Sequence, residues 1–391
     1  MILYLVKGIV SYLKKIGIIT INDYSNYGNR LQNYATQEVL KSLGFEVETI
    51  VNSPKQRIRD MFNKARKMQI NELIIKVFQK IRYKLFKTSG EKKIEMLNEI
   101  RINKFRNFTN DNILETPYVI SNDNIPSDLG EKYSAFIVGS DQVWNPNFRM
   151  SSFIDFLTFA PKKKRIAYAA SFGISTLPEE YVYDYSRWLS EMEHISVRED
   201  TGAKIVKKLT GKNVEVLIDP TLMLTKEQWL SISRPAICKP DKSYLLTYFL
   251  GGISSESRVW INSIVKNTDL DIVNLVDIED ERRYIADPAE FLDYINSCEA
   301  FLTDSFHGVA FSILFKKPFI IFERNGDIHS MNSRIDTLLS KFKLEERKYE
   351  NIKNNNEVFT IDYSHVPRIL ESERKKALDY LKNSLDIKGA K

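Results

Sequence analysis

A chain of 391 residues, 43% hydrophobic and 28% charged, is longer than one ordinary core organises, so two domains are expected and wholesale disorder is excluded. No uninterrupted apolar run of about 18 residues occurs, which argues against a membrane span. The net charge of +6 is uneven: Lys55–Arg106 holds 16 Lys/Arg against 5 Asp/Glu, a local +11, which leaves −5 for the rest.

The opening run Met1–Val6 stops at Lys7 without a basic leader or a small-residue cleavage site, which argues against a secretory signal. Short apolar, β-branched runs then predict strands at Ile16–Thr20, Val47–Val51, Ala135–Gly139, Arg165–Ser171, Ile195–Arg198 and Val214–Ile218. A second series follows at Tyr244–Leu250, Asp271–Val276, Ala300–Thr303 and Phe319–Phe322. Helical stretches alternate with these runs, which predicts parallel sheets built from βαβ units. The break between the series falls at Asp219-Pro220-Thr221, and Pro367–Leu385 reads as one long polar helix. The fold expected is α/β: two Rossmann-like, doubly wound parallel-sheet domains facing a cleft. Their spans are 1–218, with a basic helical insert over about 55–110, and 219–366, followed by a C-terminal helix over 367–391. In the insert, Ile70, Leu73, Ile74, Val77, Phe78, Ile81 and Leu85 keep helical spacing among lysines and arginines. That pattern reads as a solvated helix packed on the domain or as a contact with a membrane bearing anionic lipids. No nucleic-acid motif accompanies the charge.

Chemistry concentrates where strands end. After Ala300–Thr303, Asp304 or Ser305 can cap a helix whose first turn carries His307 and Gly308, and Lys317 follows about three turns later. A helix N-terminus with glycine and histidine is an anion site, unless it is merely a capped end. Arg198 stands at another strand end, able to grip a carboxylate or phosphate or to form an ordinary ion pair. Two polar loops complete the set. Asn26, Tyr27, Asn29 and Gln32 open the first βα turn, which lacks the dinucleotide glycine pattern. Ser140, Asp141, Gln142 and Trp144 follow the strand at Ala135. Amides, a carboxylate and an aromatic plane suit a sugar, and loop capping is the plainer alternative. Four histidines without ligand spacing, and two distant cysteines, Cys238 and Cys298, predict no metal site and a reducing compartment. Asp269-Leu-Asp271 at a strand entrance is taken as a chance D-x-D.

In combination, Tyr27–Asn33, Gly139–Asn145, Ala167–Gly173, Ser196–Glu199, Asp219–Leu222, Thr303–Gly308 and Ser333-Arg334 resemble the polysaccharide pyruvyl transferase family, in order, over residues 15–347. The resemblance implies a GT-B-like fold. It also implies transfer of pyruvate from phosphoenolpyruvate to two hydroxyls of a sugar in a cell-surface glycan or its lipid-linked precursor, giving a ketal and phosphate. No cofactor is implied, since phosphoenolpyruvate is a co-substrate. His307 and Arg198 take catalytic roles in this reading, with Lys317, Ser305, Gly308 and Arg334 binding the donor. Asn26, Asn29, Asp141, Gln142 and Trp144 face the acceptor. A cytoplasmic enzyme is expected, peripheral at the inner membrane face if residues 55–110 touch lipid. The alternatives are a nucleotide-sugar glycosyltransferase of the same architecture and a non-catalytic sugar-binding protein of a polysaccharide assembly complex.

Overall fold

The structure, a computed structural model, describes residues 14–53, 88–149, 151–324 and 332–387. The leader reading at Met1–Lys7 and the amphipathic pattern over 70–85 lie outside the described residues.

Seven strands form the first sheet: β1 (Lys15–Ile19), β2 (Glu46–Asn52), β3 (Glu115–Ile120), β4 (Ala135–Val138), β5 (Arg165–Ala170), β6 (His194–Val197) and β7 (Glu215–Val216). Their order is β3-β2-β1-β4-β5-β6-β7, parallel throughout, with Ile16 in register with Val47 and Ala135. The second sheet holds β8 (Tyr244–Tyr248), β9 (Asp271–Asn274), β10 (Ala300–Thr303) and β11 (Phe319–Ile321) in the order β11-β10-β8-β9, also parallel. Both are doubly wound. Strand order reverses between β1 and β4 in one sheet and between β8 and β10 in the other, and such switch points open a crevice at the carboxyl ends of the strands.

One strand escaped the sequence reading. β3 carries Pro117 and exposes every second residue, and it lies at the sheet's edge. An edge tolerates proline because one side of the ladder needs no N–H donor.

The principal helices are α1 (Tyr27–Ser42), α2 (Ser89–Asn112), α3 (Glu179–Ser190), α4 (Asp200–Thr210), α5 (Ser255–Lys266), α6 (Pro288–Ser297), α7 (Phe306–Phe315), α8 (Ser333–Phe342) and α9 (Val366–Ser384). α7 is apolar on every side and all ten of its residues are buried, as a helix enclosed by others must be. α1 is buried for most of its length although it is polar, because Gln32 bonds Thr20 and Ser140, Gln37 bonds Thr49 and Leu114, and Arg30 pairs with Glu115. Its Tyr27 crosses to the second domain: the ring stacks on Phe291 at 4.2 Å and the hydroxyl donates to the Ala286 carbonyl. One continuous apolar cluster therefore runs from Ile16 through Leu31 and Trp229 to Phe311 and Phe342.

Two further elements tie the halves together. α2 ends the basic insert, and its described part is no free solvated helix. Arg101, buried, donates to the carbonyls of Tyr284 and Ser25 and lies over the Tyr27 ring at 4.6 Å, while Lys104 pairs with Glu290. α9 returns from the second domain to the first. Arg374 donates to Leu222 and Leu224, and the Tyr380 hydroxyl donates to Ala167 in β5. Among the described residues no helix is long and apolar enough to cross a membrane.

Arg101→Ala removes the charge-assisted bonds that α2 makes across the domains and the guanidinium stacked on Tyr27. It should lower the free energy of unfolding by about 2–3 kcal/mol, read from the denaturant midpoint, without loss of secondary structure.

Candidate functional site

The crevices of the two sheets face each other and enclose a cavity of about 400 Å³. From the first domain come Ile21, Asp23, Asn26 and Asn29, at and after the end of β1, and Asp141, Gln142 and Phe148, after β4. From the second come Leu250, Ser305, Phe306, His307, Arg324 and Arg334.

Local backbone rules position the first-domain side. Asn26 caps α1 by accepting from the Asn29 amide, and the Asn29 side chain donates to Asp141 at 3.2 Å while accepting from Asp23 and Arg30. β4 ends at Gly139, whose φ of +122° and 2.2 Å clearance to the Tyr168 carbonyl admit no side chain. The turn that follows brings Asp141 to the cavity and Ser140 beneath it. Below lies a buried charge network. Arg198, at the end of β6, pairs with Asp219 at 2.6 Å and with Asp141 at 3.6 Å, and its Nε and Nη2 have no hydrogen-bond partner. Asp219 also accepts from Ser140 at 2.8 Å and from the amide and hydroxyl of Thr221.

On the second-domain side, Ser305 caps α7 through the Gly308 amide, and Asp304 accepts from the Leu250 and Gly251 amides and from Arg324. His307 leans across the interface. Its Nε2, buried and without a hydrogen-bond partner, stands 3.6 Å from Asp219, and its Nδ1 edge covers Gly28, where a Cβ would approach within 2.0 Å. The Phe306 ring lies under Arg198 at 4.3 Å and beside Arg334 at 6.0 Å.

These charges bias one another. Burial alone would raise the carboxyl of Asp219, yet His307 and Arg198 outweigh it and hold it well below the usual carboxylate range. Asp141 is lowered in the same way: burial opposes, while Arg198, His307, Asn29 and Arg334 prevail. Arg334 is pushed the other way, to about 9, by burial and then by Arg198, with Glu199 and Asp141 offsetting only part. A guanidinium so disfavoured gains from any anion that enters the cavity.

The structure brings Asn26, Asn29, Asp141, Gln142, Ser305, His307 and Arg334 to one cavity and sets Arg198 beneath it. Three expectations are corrected. Lys317 donates to the Cys298 carbonyl at the amino end of β11, because α7 runs back along the sheet and carries it about 15 Å from His307. Trp144 is wholly buried, its indole N–H on the Asp155 carbonyl and its ring stacked on Phe156; the aromatic ring that lines the cavity is Phe148. Gly308 admits the side chains of Phe301 and Thr303 rather than a ligand, and its amide is taken by the cap. Arg324 and Asp219 received no role from the sequence, since only the tertiary fold places them at the crevice. Among the described residues no group of three or more His, Cys, Asp or Glu side chains could hold a metal ion. Asp269 of the D-x-D pairs with Lys242 at the entrance to β9.

Solved structures that align over nearly the whole chain include UDP-GlcNAc 2-epimerases and a glycosyltransferase. The UDP-GlcNAc 2-epimerase of Neisseria meningitidis bound to UDP-GlcNAc aligns at 10% identity and TM-score 0.43, over 95% of this chain and 100% of that one. The UDP-GlcNAc 2-epimerase of Methanocaldococcus jannaschii in complex with UDP-GlcNAc and UDP aligns at 15% and 0.39, over 92% and 99%. The glycosyltransferase SnogD of Streptomyces nogalater aligns at 9% and 0.37, over 96% and 99%. No curated protein matches the chain. The family model for polysaccharide pyruvyl transferase matches residues 26–326, and the chain belongs to that family.

Gly28→Ala should fold, since alanine suits a helix, but its methyl would displace the His307 ring. A crystal structure of that variant should show the ring moved away from residue 28. Acid should also loosen the interface. Asp141 and Asp219 have depressed values in the folded state, so their contribution is present above about pH 4 and is lost as pH falls through those values. Unfolding free energy measured from pH 6 to 2 should fall, and less steeply in Asp141→Asn.

Proposed function

We propose that this transferase moves pyruvate from phosphoenolpyruvate to two hydroxyls of a sugar, forming a cyclic ketal and releasing phosphate. The observation that carries the reading is the two-sided cavity. One wall holds His307 on the first turn of α7 with Arg334 and Arg324, above Arg198, and the other holds Asn26, Asn29, Asp141 and Gln142. A ligand with two anionic groups suits the first wall, because arginines and a helix N-terminus neutralise carboxylate and phosphate where water is scarce. Amides and a carboxylate beside the Phe148 ring suit a polyol.

In this reading His307 supplies a proton to the methylene carbon of phosphoenolpyruvate, which leaves cationic character on the carbon that bears the phosphate. A sugar hydroxyl attacks that carbon and gives up its proton. The C–O bond to phosphate breaks, and a second hydroxyl closes the ring, its proton leaving with phosphate. Arg198, Arg334 and Arg324 hold the charge that collects on the departing group. The acceptor is a surface glycan or its lipid-linked precursor at the cytoplasmic face of the membrane. The local +11 of residues 55–106 would suit anionic lipid there.

Phosphoenolpyruvate should raise the melting temperature, with about 2.7 kcal/mol of stabilisation at one hundred times Kd, while UDP-sugars leave it unchanged. A shift with UDP-sugars alone would overturn the proposal. Phosphate release should be measured against a panel of free and lipid-linked glycans. His307→Ala should fold and lose about 100- to 10,000-fold in turnover; wild-type turnover in that variant would remove His307 from the chemistry.

A further inference from the structure

Asp219 lies three residues after β7, on a turn that the capping role alone would explain. Its two oxygens divide the work. Oδ1 accepts from the Thr221 amide at 2.9 Å and hydroxyl at 2.8 Å, which closes the turn. Oδ2 accepts from Ser140 at 2.8 Å and from Arg198 at 2.6 Å and faces His307 Nε2 at 3.6 Å. The carboxylate is wholly buried and cannot rotate without losing these bonds. His307 Nε2 has no hydrogen-bond partner, and Asp219 is the carboxylate paired with it across the interface. The remaining gap is a fraction of an ångström, and catalytic hydrogen bonds often tighten only when ligand binds.

We infer that Asp219 is the positioning residue of His307: its fixed carboxylate takes the Nε2–H, which leaves Nδ1, beside Gly28, as the nitrogen free to exchange a proton. This rests on the phosphoenolpyruvate reading for its consequence but not for its geometry. The Nδ1–H bond breaks as a C–H bond forms at the donor's methylene carbon, and Nε2–H stays on the ring, held by Asp219. The neutral ring then has its bare nitrogen at Nδ1, ready to take the proton of the attacking hydroxyl. Asp219 remains a carboxylate throughout, oriented rather than titrated.

Other charges surround the ring. Asp141 stands near it on the first-domain side, Arg198 shares the Asp219 carboxylate with it, and Arg334 of α8 and Arg324 from beyond β11 line the same cavity. Asp219→Asn keeps the shape and removes one negative charge, from Arg198 as well as from His307.

The test uses the full chain labelled with ¹⁵N-histidine and free of ligand. Only four histidines occur, and His307 is assigned by the signal lost in His307→Gln. Wild-type His307 should carry its neutral-form proton on Nε2, and the share of the tautomer protonated on Nδ1 should rise at least about tenfold in Asp219→Asn. Turnover should fall at least about tenfold in the same variant. A neutral-form proton on Nδ1 in the wild type would overturn the inference, and that measurement needs no variant to fold. An unchanged tautomer in a folded Asp219→Asn would also overturn it. A wild type that releases no phosphate from phosphoenolpyruvate, yet shows the Asp219-dependent tautomer, would sink the substrate reading and leave the pair intact.

Discussion

A buried carboxylate organises this molecule. Asp219 is removed from water, a placement that costs several kcal/mol unless every lone pair finds a donor. Ser140 from the end of β4, Arg198 from the end of β6 and Thr221 from its own turn supply those donors. The same network therefore fixes the relative positions of two strand ends and the start of the crossing into the second domain. The asymmetry of buried ion pairs matters here. Replacing both partners by apolar groups can be nearly neutral, but removing one strands the other charge. Arg198 lies under the cavity with two unpartnered nitrogens, so its only firm compensation is the Asp219 carboxylate and the more distant Asp141.

That rigidity is transmitted by two helices of opposite character. α1 is polar and buried, the Asn29, Gln32 and Gln37 amides spent on named partners, while α7 is apolar and buried by packing. They meet where Gly28 receives the His307 ring. Polar satisfaction specifies register, since Gln32 can reach Thr20 and Ser140 in one alignment only, whereas dispersion and burial supply the bulk of the stability. The shared core from Ile16 to Phe342, the α2 brace and the returning α9 then hold the cleft as a packed interface rather than a loose hinge.

Much of this was legible in the residues because the signals are local. Short apolar, β-branched runs announce strands, and ten of the eleven described strands do so. The Ser305 cap and the helix behind it follow from a polar residue before an apolar stretch. β3 was hidden because an edge strand needs burial on one face only and its proline mimics a break. Lys317 misled because linear distance along a helix does not show that the helix runs back along its sheet. Trp144 misled because a sugar-binding aromatic and a core aromatic look alike in a loop, and only the Asp155 carbonyl and the Phe156 ring distinguish them. Arg324 and Asp219 are tertiary facts. Their importance comes from partners that lie far off in sequence: Ser140 is 79 residues from Asp219, and Asp304 is 20 from Arg324.

The charge pattern of the cavity also bears on why two domains are needed at all. Arg334 is disfavoured by its burial and by Arg198, and the carboxylates that could relieve it belong largely to the other domain. Asp141 and Asp219 are in turn held ionised by Arg198 beneath them and by His307 across the gap. Each wall thus completes the other's electrostatics, and separating them would leave buried charges of both signs uncompensated. The proposed reaction, which protonates a carbon at one wall and takes a proton from a hydroxyl at the other, gains from this arrangement, because the charges that serve it are fixed in the fold before a ligand enters.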